Sequence, residues 1–170
     1  METTFVNKVV ESGIISLDLA NYLPTQPIAL FDLKDHLFMG LILKEKDFRA
    51  ALLTIDFSIY NNKHVGILCS ADAIIPMWAY MLAVSYIQPH ALSIQFGNEE
   101  AVQEKLLLHN FNTQFIAVDY LDKRVVVKGC GEVAIPPSAF IAITNVLRPY
   151  AKSIMYGEPC STVPIYKKKA

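Results

Sequence analysis

The chain is poor in the features that mark nucleic-acid proteins, disulfide scaffolds and membrane spans. Acidic and basic side chains nearly cancel, leaving a formal net charge of −1, so no basic stripe exists to neutralise phosphates and nucleic acid is not an expected partner. Lys167-Lys168-Lys169 is basic but short, and reads as a solvated tail. No stretch reaches the roughly 18 uninterrupted apolar residues of a membrane helix. Ala71 to Ile87 comes nearest, and Asp72 and Pro76 interrupt it. Residues 1–13 are amphipathic and carry Glu2 and Glu11, unlike a secretory leader. With only three cysteines and no such leader, reduced thiols in the cytoplasm are expected. No CxxC pair, phosphate loop, GxGxxG or Gly-x-Ser-x-Gly elbow occurs, which removes the common signatures of nucleotide binding and serine hydrolysis.

Apolar residues, at 53% against 18% charged, are plentiful enough for one good core, so residues 1–170 read as a single domain. Its second half carries an internal repeat. Pro76-Met77-Trp78-Ala79-Tyr80 matches Pro136-Pro137-Ser138-Ala139-Phe140, and the match continues through Pro89/Pro149, Ser93/Ser153, Phe96/Tyr156 and Gly97/Gly157, all sixty positions apart. The copies span 63–97 and 124–157. One supersecondary unit used twice is the usual meaning of such a pattern. Cys69 precedes the first proline of its copy by seven residues and Cys130 precedes its own by six.

Along the chain, residues 1–55 are expected to be mainly helical. The period over 32–53 suggests two helices broken near Gly40, the second from Lys44 to Leu53 with Phe48, Ala51 and Leu52 on one face. Val65 to Leu68 suits a buried strand, followed by a cysteine turn, a helix starting between Asp72 and Pro76, and a strand from Leu92 to Phe96. Asn98 caps a further helix with Glu99 and Glu100 at its positive end and Val102, Leu106 and His109 on one face. Gln114 to Val118 and Val125 to Lys128 read as strands of a hairpin. A helix from Pro137 to Leu147, a strand from Lys152 to Tyr156 and a C-terminal tail over 158–170 complete the reading. The expected fold is an α/β sandwich: a single domain with a mixed sheet and two related strand–cysteine turn–helix–strand units.

Ligands of α/β sheets bind at the carboxyl ends of the strands, where both cysteine turns fall. Thiolate is the metal-binding form, and a helix N-terminus favours it. Cys69, Cys130 and Cys160 together with one carboxylate suit zinc or iron. Asp72, three residues after Cys69, is the first choice for the fourth ligand, its other role being N-cap of the following helix. Glu132 and Glu158 flank the other two cysteines. The histidines at 36, 64, 90 and 109 have no partner at metal-ligand spacing; His90, matched to Tyr150, reads as packing. Trp78 and Tyr80 read as core.

The strings Gly40 to Arg49, Cys69 to Met81 and Lys152 to Ser161 resemble a bacterial family catalogued as a domain of unknown function, number 2480, over almost the whole chain. The resemblance implies no activity. It implies a setting beside the sulfur-mobilisation machinery for iron–sulfur cluster assembly, which makes iron–sulfur assembly proteins the expected partners. Three readings stand: a metal-binding accessory to iron–sulfur assembly, an interaction protein whose duplicated units form a homo-oligomer or partner surface, and a thiol enzyme.

Overall fold

The structure is a computed structural model that describes residues 13–128, 131, 133–158 and 161–169. The chain divides into two compact units: a central unit, Pro24–Leu106, and a split unit formed by the segments up to Leu23 and from Leu107 onward.

In the central unit, β2 (Ile28–Asp32), β3 (His64–Leu68) and β4 (Ser93–Phe96) form a parallel sheet in that order. Parallel neighbours require crossovers. Helix α1 (Glu45–Leu52) lies in the first and α2 (Met77–Ile87) in the second. Every fourth residue of α2, Ala79, Ala83 and Ile87, is fully buried against Phe31, Val65 and Ile67 of the sheet and Phe48 and Leu52 of α1. Each large apolar side chain so buried contributes about 1.5–3 kcal/mol relative to exposure. Gly66, in the middle strand, is required by close approach. A Cβ there would lie 2.6 Å from the Gly97 carbonyl oxygen, 2.8 Å from Leu30 and 2.9 Å from Val102.

In the split unit, β1 (Ile14–Leu17), β5 (Arg124–Val127) and β6 (Ser153–Glu158) are again parallel and adjacent, and β7 (Ser161–Lys167) adds antiparallel to β6. Helix α4 (Pro137–Leu147) buries Ala139, Ile143 and Leu147 against Val125, Val127 and Ile154. Helix α3 (Glu99–Gln114) adds Leu107 and Phe111 to that core. At Gly157, within β6 and with a φ of +121°, an added Cβ would meet the Ser161 carbonyl oxygen of β7 at 2.5 Å.

The helix from Pro137 to Leu147 falls where the sequence places it, and the strands at 64–68, 93–96 and 124–127 lie within one or two residues of expectation. Several expectations are corrected. The described residues form two sheets, and the antiparallel neighbour is β7 rather than a hairpin before β5. Residues 114–118 do not form a strand: α3 runs to Gln114, and a 3-10 turn occupies Ala117–Tyr120. Phe111 and Phe115 stand four apart with ring centroids 4.9 Å apart, and the Phe115 N–H bonds the Phe111 carbonyl at 2.9 Å, so the helical period continues where a strand was expected. Helix α3 buries Val102, Leu106 and Phe111, while His109 is exposed. The N-terminal part, expected to be mainly helical, contributes β1 and β2. Between Leu33 and Ile42 it forms a 3-10 turn and a tight bend with Met39 and Gly40 at φ of 53° and 72°, a conformation no helix continues through.

The tail is also corrected. Residues 161–167 are an edge strand, and Lys168 donates its N–H to the Lys152 carbonyl at 2.8 Å and pairs through Nζ with Asp122 at 2.9 Å. Pro164 lies next to the register shift in β7, where Ile165 is the extra residue, and a proline is tolerated there because an edge strand has one unpaired side.

Candidate functional site

At the carboxyl ends of both sheets an aspartate closes the first strand and turns the chain. Asp18 follows Leu17 and accepts the Ala20 N–H at 3.0 Å; Asp32 ends β2 and accepts the Lys34 N–H at 3.0 Å. Each carboxylate thereby caps a short 3-10 turn, Leu19–Tyr22 or Leu33–His36. The second oxygens of the two aspartates meet different partners.

In the central unit, Asp32 holds the loop after β3. Its Oδ1 accepts the Ser70 N–H at 3.0 Å and its Oδ2 the Ser70 hydroxyl at 2.6 Å. Desolvation acts to raise this carboxyl, but the Ser70 hydroxyl and N–H, then the Lys34 N–H and ammonium, outweigh it and hold the group below its ordinary range. Cys69 sits between Leu68 and this anchored serine. Its thiol is half-buried against the core and donates to the Ala71 carbonyl at 3.6 Å. Tyr80 stands beside it, its phenol raised by burial and then by the Cys69 thiol. Asp72 is exposed and does not cap the next helix: α2 starts at Met77 with Pro76 as N-cap. The residue before a proline is biased to extended backbone, which delays the helix past Ile75.

In the split unit, Asp18 Oδ2 pairs with Lys128 Nζ at 3.3 Å, both side chains half-exposed. They border a cleft of about 440 Å³ lined also by Ala20, Gly131, Val133, Ala134, Ile135, Phe140 and Tyr156. The lining combines these charged groups with an aromatic pair, Phe140 and Tyr156, edge-to-face at 5.6 Å.

Of the four expected ligands, Cys69 and Asp72 are described, whereas Cys130 and Cys160 lie outside the described residues, as does Glu132. Among the described residues no group of three histidine, cysteine or acidic side chains is disposed to hold a metal. The strands β3 and β5 and the helices α2 and α4 keep the sixty-residue offset on both sides of the intervening loop. Carried through the sequence, that offset takes Cys69 to position 129 and Ser70 to Cys130, both of which lie outside the described residues. Sequence reasoning passed over Asp18, Asp32, Ser70 and Lys128. The signal was present in Leu17-Asp18-Leu19 and Phe31-Asp32-Leu33, an aspartate ending an apolar run.

Away from the aspartates, each unit carries an apolar groove between its second crossover helix and the strand that follows. One, of about 480 Å³, is lined by Ile67, Met77, Tyr80, Met81, Val84, Ile94, Gln95 and Phe96. The other, of about 420 Å³, includes Val127, Pro137, Phe140, Ile141, Thr144, Ile154, Met155 and Tyr156, each sixty positions further on, with Ile165 of β7 added.

Three of the four histidines have partners within the fold. His36 stacks on Phe31 at 5.3 Å, His90 on Phe57 at 6.4 Å, and His64 Nδ1 meets the Ser93 hydroxyl at 2.8 Å. Among the described residues no helix is long and apolar enough to cross a membrane.

Parallel strands joined through crossover helices, with one antiparallel edge strand, define an α/β protein. The chain belongs to the family described as "Protein of unknown function (DUF2480)", whose sequence model matches residues 3–168. No curated protein and no solved structure matches it.

Proposed function

We propose that the chain binds zinc or iron through cysteine thiols presented at the carboxyl ends of its strands, as an accessory that holds or passes on metal or sulfur. The observation that carries this reading is the topology of the split unit. β5 and β6 are adjacent and parallel, with Val127 opposite Tyr156. Cys130 follows β5 by three residues in the sequence and Cys160 follows β6 by two. Neighbouring strands are about 4.8 Å apart, so both thiols are tethered to adjoining strand ends with enough chain to share one ion. Asp18, at the end of β1 on the far side of β5, offers a carboxylate to the same end of the sheet. Cys69 is the third thiol of the proposed set, with Asp72 the first choice for the fourth ligand. A site of three thiolates and a weak fourth ligand leaves a position for incoming sulfur. The iron–sulfur assembly setting rests on the family resemblance.

The test is elemental analysis for zinc, iron and acid-labile sulfide on untagged protein purified without oxygen. Near-stoichiometric metal that disappears in both Cys130→Ser and Cys160→Ser supports the reading. The Cys69→Ser variant then decides between a three-thiol site, if metal is lost, and a two-thiol site confined to the split unit, if it is kept. Metal-free protein with three freely titrating thiols sinks the proposal. One thiol alone reacting fast with iodoacetamide turns attention to a thiol enzyme.

A further inference from the structure

The two grooves differ in one respect that identifies an occupant. In the split unit the outer edge of β6 is covered by β7, and Ile165 of that strand lines the groove. In the central unit β4 ends its sheet, and no described strand covers it. The edge is also unprotected by sequence. Exposed edges are ordinarily blunted by charge or proline. β7 has Pro164 and Lys167, while β4 reads Ser-Ile-Gln-Phe. No aspartate, glutamate, lysine or arginine occurs between Asp72 and Glu99. The charged groups lie at its ends: Glu99 and Glu100 follow the strand, and Lys105 donates through Nζ to the Phe96 carbonyl at 2.6 Å, closing the carboxyl end and leaving Ser93 to Gln95 open.

Beside this edge, α2 shows an apolar stripe at helical spacing: Met77 is 71% exposed, Met81 73% and Val84 37%. With Leu92 and Phe96, both more than half exposed, these side chains present on the order of 500 Å² of apolar surface, comparable to the largest patch on a typical monomer. Methionine suits an adaptable contact.

We propose that this face joins two copies of the chain about a two-fold axis, β4 pairing antiparallel with its counterpart and the Met77–Met81–Val84 stripe packing on the same stripe of the partner. An extended peptide from another protein would cover the strand edge and leave the helix stripe bare. A second copy covers both at once, because a two-fold interface is self-complementary and turns a parallel sheet's edge strand antiparallel to its mate. With no acidic or basic residue in the segment that carries the strand and stripe, the approach of two copies meets little like-charge repulsion.

The test is sedimentation velocity and equilibrium on the full chain. The wild type is expected to be a dimer at micromolar concentration. Met81→Glu places a charge in the contact and is expected to raise the dissociation constant at least about tenfold, with the circular dichroism spectrum unchanged. Phe96→Lys, on the strand side, is expected to do the same and serves where Met81→Glu fails to fold. Ile141→Glu, sixty positions from Met81 and 63% exposed in the other groove, is expected to remain dimeric. A wild type that stays monomeric at about 100 μM, a dimer indifferent to both Met81→Glu and Phe96→Lys, or one broken by Ile141→Glu instead, overturns the proposal.

Discussion

The central and split units build nearly the same strand–helix–strand arrangement from different residues, and the differences fall at points with physical consequences. Where the central unit has Gly66 in its middle strand, the split unit has the fully buried Val126. Where the central unit opens β3 with His64, bonded to Ser93, the split unit opens β5 with Arg124, a side chain that stays charged at any ordinary pH. Where Asp32 takes a serine, Asp18 takes a lysine. A shared architecture therefore tolerates large changes at its strand ends and middle strand, provided the buried apolar stripe of the crossover helix still meets the sheet. It also means that the units respond differently to the same kind of insult.

The largest expected effect separates the two cores. Phe48→Ala, at a fully buried ring between His36 and Trp78, is expected to lower stability by about 3–5 kcal/mol. The chain's single tryptophan, Trp78, lies in the central unit, so urea titration followed by its fluorescence reads this change. Phe111→Ala, packed on Tyr22 and Phe115, is expected to cost a similar amount and to show as faster hydrogen exchange over residues 107–158. Equal effects of both variants on every probe would erase the distinction between the units.

Next comes the middle strand. Gly66→Ala is expected to destabilise by about 1–3 kcal/mol, since the new methyl meets a backbone carbonyl that cannot swing away. Unchanged urea midpoints for this variant would show that the approach of Gly97 and Val102 is looser than 2.6–2.9 Å implies.

Acid comes third. Burial lowers the pKa of His64, and of His36 despite the opposing charge of Asp35. Below the ordinary histidine value of about 6.5 the unfolded chain takes up protons more readily than the folded one. The stability contributed by these neutral rings is complete above that value and falls as pH drops through it toward the lower folded pKa. The Trp78 transition is therefore expected to shift to lower urea between about pH 7 and 5. His64→Gln with His36→Gln should flatten that dependence, and a slope that survives both changes assigns it elsewhere. The smallest effect is the exposed Glu45–Arg49 pair on α1, at 3.0 Å. Arg49→Gln is expected to cost only about 0.2–0.5 kcal/mol, within reach of careful thermal melts at low salt.

The helices were the legible part of the sequence. Apolar spacing over 137–147 and a proline in the first turn fix α4 to the residue, because nothing competes with the helical period there. The start of α2 was harder to read, since a proline can open a helix or delay one and its neighbour Ile75 decided for delay. β7 escaped because a proline and a run of lysines look like a tail until a strand is available to pair with it. Of the site, the sequence pointed to Cys69 and to strand carboxyl ends. The aspartates escaped because a single carboxylate after an apolar run carries no periodicity; only the strand pairing shows Asp32 reaching Ser70, thirty-eight residues away.

The order of the strands also bears on how the protein comes off the ribosome. Ile14 lies beside Arg124, and the whole central unit is made between them. The central unit is therefore complete while β1 still waits for its neighbour, and closing so long an interval is slow compared with the local contacts already available. The last strand to emerge, β7, is the one that covers the edge of β6. During synthesis the split unit thus passes through a stage with an open edge, and translation that stops before Ser161 leaves a chain fixed at that stage, prone to pairing with its neighbours.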